Sequence, residues 1–345
     1  MILEINKDYV LMTAKEILEF DSPTGFCYDI MDLIKKKAES FGYQFEATRK
    51  GCGIITVPGS SNEKVIGLAA HVDTLGAMVR SVTSEGTLKF TLLGGPIVPS
   101  LDSEYCKIRT RDGKIYTGTF LSTSPSIHVY DDCLSKKRDL DNMEVRIDEV
   151  VASKEDVKAL GICPGDFIFI DPKTTLTESG YLKSRFIDDK GSVACLLGLL
   201  ELLKRKKITP RHTLKILISV YEEVGHGASY IPNDITEMIA VDMGCIGSDL
   251  SCTEQEVSIC AKDSNGPYDY NMVTDLINLA KENEVKYAVD IYPHYGSDVG
   301  AALRGGNNIR GALIGPGVHA SHGMERTHYD GLENTIKLLY LYITR

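Results

Sequence analysis

Two adjacent glutamates, Glu222 and Glu223, end an apolar run that reads LKILISVYEE, and the glycine-rich segment VGHGAS follows them. The alternation in LKILISV is typical of a half-buried or buried strand. Ionised carboxylates are costly to bury unless they are paired or bind a metal ion. The two glutamates therefore need partners from other parts of the chain.

Candidate partners follow other predicted strands, at the point where each strand ends. Ligands of open α/β sheets bind beyond the carboxyl ends of the strands, so we expect polar residues in these places to lie together. Besides the two glutamates they are His71 and Asp73 in LAAHVD, Asp188 and Asp189 in SRFIDDKG, Asp242 in AVDMG, and His319, His322 and His328 in GPGVHASHGMERTH.

Imidazole and carboxylate groups in this number are typical ligands of a pair of divalent metal ions. Zinc takes both kinds of ligand, and a two-metal hydrolase needs a carboxylate that bridges ions about 3.5–4 Å apart. Residues i and i+2 of a strand face the same way, so Asp73 is predicted to orient His71. Neighbouring strand residues face opposite ways, so Glu223 is predicted as a ligand and Glu222 as a general base.

Each of these motifs has a simpler interpretation when it stands alone. A single HxD is more often a surface pair than a ligand, and DDKG is typical of a helix N-cap, where Asp189 would satisfy free backbone N–H groups. Adjacent glutamates are usually a solvated charge pair. The joint placement of all of them at strand ends favours the metal site.

Composition excludes several classes of protein. The formal net charge is −10 with no basic stripe to offset it, which argues against a nucleic-acid partner. Nine cysteines without a CxxC pair argue against a disulfide framework and a cysteine zinc site. The first segment carries charges throughout and no apolar segment reaches about 18 residues, so neither a signal peptide nor a membrane span is predicted. We expect a cytoplasmic protein.

The order of the predicted elements indicates two domains. Helical and strand patterns alternate near both ends of the chain, which predicts an α/β domain with a mostly parallel sheet flanked by helices. The middle of the chain instead has short β-like runs separated by turns. We therefore predict a catalytic α/β domain made of residues 1–74 and 176–345, interrupted by a small inserted all-β domain at 75–175.

Six motifs, AHVDTLGAMV, SRFIDDKGSVA, YEEVGHGAS, AVDMG, YGSDVGAAL and SHGMERTH, occur along the chain. In order and approximate spacing they resemble the co-catalytic metallo-aminopeptidases of the deblocking and glutamyl aminopeptidase family. The match covers nearly the whole chain, including the interrupting β domain. Members are also called tetrahedral aminopeptidases, and some are labelled endoglucanases. The resemblance implies a zinc-peptidase-like fold with an inserted dimerisation or lid domain.

The resemblance also implies which residues hold the metal ions. One ion would be bound by His71, Asp188 and Asp242. The other would be bound by Asp188, Glu223 and His322. The carboxylate of Asp188 would thus bridge the two ions.

The same resemblance implies hydrolysis of N-terminal residues from peptides. Glu222 would be the general base toward a metal-bridging water, and Asp73 would orient the first histidine. Two divalent ions per subunit are implied, with zinc favoured by affinity order and cobalt or manganese as alternatives. His319 and His328 remain alternatives to His322 as the last ligand.

Peptides are the implied substrates, and acidic, aliphatic and basic N-terminal residues all remain candidates. The family commonly assembles into tetrahedral dodecamers through the inserted domain, so the resemblance implies a homo-oligomer. Competing functions are a dimetal N-acyl-amino-acid deacylase or carboxypeptidase, and a metal-free, non-catalytic scaffold. A glycosidase is disfavoured, because adjacent carboxylates on one strand do not flank a bond at about 5–5.5 Å or 6.5–9.5 Å.

Overall fold

A computed structural model describes residues 3–345 of the chain. Its helices in this range are α1 (Lys7–Leu18), α2 (Tyr28–Ser40), α3 (Lys154–Ala159), α4 (Ile187–Lys206), α5 (Tyr270–Glu282), α6 (Asp298–Arg304) and α7 (Tyr329–Thr344). The strands are β1 (Gln44–Ala47), β2 (Gly53–Val57), β3 (Ser61–His71), β4 (Gly76–Val82), β5 (Leu88–Leu93), β6 (Tyr105–Arg109), β7 (Ile115–Ser122), β8 (Met143–Ile147), β9 (Phe167–Ile170), β10 (Thr175–Leu176), β11 (Tyr181–Ser184), β12 (His212–Ser219), β13 (Ile235–Val241), β14 (Gly244–Cys245), β15 (Val257–Asp263), β16 (Gly266–Pro267), β17 (Tyr287–Ile291), β18 (Arg310–Val318) and β19 (Glu325–His328).

The larger of two compact units runs up to Thr74 and resumes at Lys173, and it is built on a ten-stranded sheet. Strands β12, β3, β13 and β18 are parallel, whereas β2 and β15 join this group antiparallel. The fold is therefore α/β, but the sheet is mixed, which corrects the prediction of a mostly parallel one. Only residues 48–52 connect β1 to β2, and so short a connection joins antiparallel strands.

Helix α4 is buried along most of its length and packs against α1, α7 and the sheet. Gly198 makes the close packing possible, since a Cβ there would lie 2.9 Å from Cγ2 of Val10 and 3.0 Å from Cδ1 of Ile336. Closely packed protein interiors have low compressibility, so neighbouring elements shift little relative to one another. The packing therefore fixes the N-terminal end of α4, where Asp188 and Asp189 lie.

The parallel strands bring their carboxyl ends to one edge of the sheet. Strand β3 ends at His71, and its neighbours β12 and β13 end shortly before Glu222 and Asp242. A separate three-stranded sheet, β10-β11-β19, lies in the same unit and includes the chain just after His322. These elements determine which of the candidate ligands lie together.

The smaller unit spans Leu75–Pro172 and is a closed barrel of strands β4-β5-β8-β7-β6-β9. Its core contains Phe90 and Phe120, whose rings meet edge to face with centroids 5.0 Å apart. The unit also contains the short helix α3 and a 3-10 turn at Val98–Leu101. The prediction of an all-β domain is therefore only partly correct. Ser153 starts α3: it is the N-cap residue, and its side chain accepts the backbone N–H of Asp156.

None of the helices described between residues 3 and 345 is long and apolar enough to cross a lipid bilayer.

Candidate metal centre

His71 ends β3 with its imidazole buried at the sheet edge. Its Nε2 lies 3.2 Å from Oδ1 of Asp188 and 3.8 Å from Oε2 of Glu222. Its Nδ1 lies 2.8 Å from the carbonyl oxygen of Asp73 and 3.5 Å from the Asp73 carboxylate. An Nδ1–H that donates to the carbonyl leaves the Nε2 lone pair directed at the carboxylates, which is the tautomer a metal ligand needs.

The Asp73 carboxylate serves a purpose that strand periodicity did not suggest. It accepts the backbone N–H groups of Glu222 at 3.1 Å and Glu223 at 3.3 Å, and the hydroxyl of Thr24 at 2.7 Å. Asp73 thus orients His71 chiefly through its own carbonyl oxygen. Its side chain holds the segment that carries both glutamates.

Glu222 and Glu223 lie in a 3-10 turn, Glu222–Val224, that directly follows Tyr221. Tyr221 has a φ of 72°, in the left-handed region that residues with a side chain seldom occupy. The side chain of Glu223 is 5% exposed and that of Glu222 is 16% exposed. Both carboxylates are therefore largely enclosed, and Glu222 is the more exposed of the two.

The Asp188 carboxylate lies between two imidazoles. Its Oδ1 is 3.2 Å from Nε2 of His71, and its Oδ2 is 3.6 Å from Nε2 of His322. The same His322 nitrogen is 3.7 Å from Oε2 of Glu223. One oxygen toward each histidine is the arrangement that a bridging ligand requires.

The other two histidines of the SHGMERTH region lie differently. His328 is the N-cap of α7, where its Nδ1 accepts the N–H of Asp330, and its Nε2 lies 2.8 Å from the carbonyl of Ser179. His319 is exposed and pairs through its backbone with Arg326. Of the three, His322 is the one whose ring lies beside the carboxylates.

Two further aspartates complete the cluster. Asp189 accepts the backbone N–H of His71 at 3.2 Å through Oδ2, whereas the N-cap position of α4 is held by Phe186. Asp242 follows β13, and its Oδ1 accepts the N–H of Met243 at 2.7 Å. Asp298 lies outside the cluster, and its carboxylate accepts the Ser219 hydroxyl at 2.5 Å.

The cluster brings several buried carboxyl groups close together, an arrangement that bound cations would stabilise. Burial raises the pKa of Glu222 and of Glu223 well above the usual value, and the charge of neighbouring carboxylates adds to it. Burial and the charge of Asp188 raise the pKa of Asp242 to about 7. Burial opposes ionisation of His71, but its hydrogen bond with Asp188 and the nearby carboxylates raise its pKa well above the ordinary value. Positive charge brought among these groups would offset their mutual repulsion.

The residues fit divalent ions. Two groups have ligand atoms that all lie within 4.8 Å of one another: His71, Asp188 and Glu223, and His71, Asp189 and Asp242. Oε1 of Glu223 and Oδ1 of Asp189 are buried and have no hydrogen-bond partner among residues 3–345. Buried carboxylate oxygens without a hydrogen-bond donor are groups that a cation could satisfy. A mixture of imidazole and carboxylate suits zinc, cobalt and manganese alike.

Sequence reasoning did not single out two residues that touch this cluster. Glu325 accepts the backbone N–H groups of Asp188 and His322. Tyr295 donates its hydroxyl to the carbonyl of Met243 at 2.9 Å, next to Asp242. Both lie within motifs quoted above, Glu325 in SHGMERTH and Tyr295 in YGSDVGAAL, but only the long-range contacts reveal what their side chains do.

Comparison with known proteins accounts for this combination of fold and site. The family model described as M42 glutamyl aminopeptidase matches residues 51–338. A Bacillus subtilis (strain 168) protein, YhfE, which carries an aminopeptidase name, is 44% identical over 330 residues that cover 95% of each protein. The similarity thus extends over both parts of the α/β unit and the barrel unit.

Solved structures of aminopeptidases share the fold. The TET aminopeptidase of the marine sediment archaeon Thaumarchaeota archaeon SCGC AB-539-E09 matches with a TM-score of 0.88 at 21% identity, over 98% of this chain and 96% of the other. The Pyrococcus horikoshii TET1 peptidase, whose structure shows assembly into a tetrahedron or a large octahedral shell, matches with a TM-score of 0.84 at 21% identity, over 97% and 99%.

These similarities define a peptidase with an aminopeptidase-type α/β fold. The chain belongs to the M42 glutamyl aminopeptidase family, which confirms the resemblance of its six motifs.

Proposed function

We propose that the protein is a dimetal aminopeptidase that removes N-terminal residues from peptides. The observation that carries the proposal is the position of Asp188, with one carboxylate oxygen toward His71 and the other toward His322. Family membership supports the aminopeptidase activity. Convergence of the ligand-type side chains argues against a metal-free scaffold.

Two ligand sets share Asp188 in this proposal. His71 and Asp242 complete the first set, and Glu223 and His322 complete the second. Bound divalent ions would polarise the scissile carbonyl and make hydroxide available near neutral pH. Asp73 keeps His71 in the tautomer with a free Nε2 and holds the backbone of the glutamate turn.

Glu222 moves the proton. Its carboxylate is the more open of the two adjacent glutamates, and Oε2 lies 3.8 Å from Nε2 of His71. Burial and surrounding carboxylates raise its pKa, so it accepts a proton more readily than an ordinary glutamate does. Glu222 would take the proton of the attacking water and deliver it to the leaving amine.

Release of free amino acids tests the proposal. Protein stripped with a chelator and then dialysed is incubated with a mixed set of unblocked peptides, before and after addition of zinc, cobalt or manganese. We expect N-terminal residues to appear only after a metal ion is restored, because the carboxylates hold the ions and the ions polarise the scissile carbonyl. The identity of the released residues reports the preference of the substrate pocket.

Matched N-acetylated peptides are the control for that experiment. They offer the same peptide bonds without the free α-amino group, so we expect no N-terminal residue from them. Release of the acyl group or of C-terminal residues would favour the deacylase or carboxypeptidase alternative. Activity that survives complete metal removal would contradict the dimetal proposal.

We further propose that the protein is a homo-oligomer that assembles through the barrel unit. The Pyrococcus horikoshii TET1 peptidase assembles into closed shells. On this chain the barrel unit exposes Ile127, Val129, Tyr130 and Leu134 within one short segment. Exposed apolar side chains so close in sequence are typical of a contact surface.

Light scattering after gel filtration tests the assembly. We expect a mass that is a multiple of 38.0 kDa for the unaltered chain. Leu134→Glu is expected to shift the mass toward the monomer, because it puts a charge where an apolar side chain would be covered. Leu303→Glu, which changes an exposed leucine of the α/β unit, is the matched control. A monomer at every concentration would contradict the proposal.

A further inference from the structure

Glu325 joins two of the proposed metal ligands through their backbones. Its side chain is buried, with the residue 1% exposed. Oε2 accepts the N–H of Asp188 at 3.0 Å, and Oε1 accepts the N–H of His322 at 2.9 Å. One carboxylate therefore spans the start of α4 and the turn that carries the last histidine.

Strand register explains how Glu325 reaches α4. Glu325 begins β19 and pairs with Ser184, the last residue of β11. The chain leaves β11 and enters α4 at Ile187 after Phe186, an N-cap residue whose side chain makes no capping hydrogen bond. Glu325 accepts the N–H groups of Ile187 and Asp188 instead. It thus holds, from a different segment, the turn that leads into the regular part of α4, since Asp188 and Asp189 have non-helical backbone angles.

The turn that presents His322 is conformationally demanding. His319 and Arg326 close it with two backbone hydrogen bonds of 2.9 and 3.1 Å. Within it, Ala320 has a φ of 61° and His322 a φ of 63°. Left-handed backbone is unfavourable at a residue with a Cβ, so it persists only where surrounding contacts enforce it. The hydrogen bond from His322 N–H to Glu325 is such a contact.

We propose that Glu325 is a positioning residue that sets the separation between Asp188 and His322, and thereby the affinity of the second metal site. The inference rests on the proposed dimetal function. Asp188 is shared by both ligand sets, whereas His322 belongs to the second set alone, and Glu325 makes no hydrogen bond to His71 or Asp242 in the described structure. Loss of this carboxylate should therefore weaken the second site more than the first. Glu325 does not act on the substrate in this proposal.

Glu325→Gln tests the inference by metal content. The amide keeps one acceptor oxygen but turns its NH₂ group toward a backbone N–H, so the contacts made by one of the two carboxylate oxygens are lost. We expect stoichiometry by mass spectrometry of the metals to fall from two ions to about one per chain. The dissociation constant of the weaker ion is expected to rise about 10–100-fold, as when the supporting contacts of other metal ligands are removed.

Kinetics add a readout that a purely structural role would not move. At limiting metal concentration we expect kcat of Glu325→Gln to fall while KM for the peptide is unchanged. Added metal should restore kcat in proportion to the occupancy of the second site. Loss of activity that excess metal does not restore, with both ions bound, would overturn the inference.

Glu256→Gln is the matched control. The Glu256 carboxylate also accepts a backbone N–H and a hydroxyl in a turn, both from Thr253, at 3.0 and 2.8 Å. We expect this variant to bind two ions with unaltered affinity. Equal metal loss in Glu325→Gln and Glu256→Gln would show that loss of any turn hydrogen bond weakens metal binding. That result would overturn the proposed role of Glu325.

Glu325→Asp is the second variant in case Glu325→Gln does not fold. It retains the charge and withdraws the carboxylate by one methylene, so we expect metal loss in the same direction and of smaller size. If either folded variant bound two ions at wild-type affinity, the inference about Glu325 would be overturned and the proposed function would stand. A wild-type chain that binds no metal would instead overturn the proposed function.

Discussion

Glu222→Gln is expected to lower kcat/KM by roughly 10²–10⁴-fold, the usual contribution of a general base. The variant keeps the size of the side chain and removes the site that accepts the proton. Because Glu222 is not one of the proposed ligands, we expect both metal ions to remain bound. Kinetics on an unblocked peptide, together with metal analysis of the same preparation, check the prediction.

Glu223→Gln is the control, since it makes the same chemical change at the adjacent position. Glu223 is the more enclosed residue, and its Oε2 lies 3.7 Å from Nε2 of His322. We expect this variant to lose metal from the second site, so that activity and metal content fall together. Full activity of Glu222→Gln would exclude Glu222 as the base, and equal metal loss in both variants would exclude the division of roles.

Metal-free protein is expected to become less stable as the pH rises from about 5 to 8. Asp242, with a pKa raised to about 7 by burial and by Asp188, binds its proton more tightly in the folded chain than in the unfolded one. Such a carboxyl group reduces the free energy of unfolding as the pH rises from its unfolded value, about 4, toward its folded value. Glu222 and Glu223, whose pKa values burial also raises, act in the same direction.

Histidines contribute to the same pH range with opposite signs. The raised pKa of His71 gives stability that is present below about 6.5 and lost as the pH rises through the folded value. His212, whose pKa is lowered by burial and by the charges of Lys64 and Arg211, gives the reverse effect. Lys190, whose pKa burial lowers to about 7, likewise adds stability as the pH rises above 7. The buried carboxyl groups and His71 outnumber His212 and Lys190, so we expect a net loss on the order of a few kcal/mol.

Thermal unfolding followed by circular dichroism in chelator, at several pH values, measures this loss. Added zinc should reverse the trend, because metal binding needs the deprotonated ligands and is therefore stronger at higher pH. Asp242→Asn removes one titrating group, so we expect it to reduce the slope of stability against pH in chelator. A metal-free protein whose stability stays constant or rises between pH 5 and 8 would contradict the prediction.

Residue type and strand-end position were enough to predict most of the candidate site. His71, Glu222, Glu223 and Asp242 lie together because parallel neighbours place their carboxyl ends at one edge of a sheet, whereas Asp188 joins them from the start of α4, after β11 of the separate sheet. This rule needs only the order of strands and helices, and that order is visible in local hydrophobic patterns. The α/β class could be predicted for the same reason.

Long-range register decided the rest. Among three histidines within ten positions the resemblance favoured His322 and left His319 and His328 as alternatives. The pairing of β11 with β19 is what leaves His328 at a helix cap and His322 beside Asp188. The contacts of Glu325 and of the Asp73 carboxylate depend on residues more than 100 positions away. The antiparallel flanks of the sheet likewise follow from tertiary pairing. Local patterns encode which residues are buried and which end a strand, whereas the partner of a buried polar atom is determined only when distant segments meet.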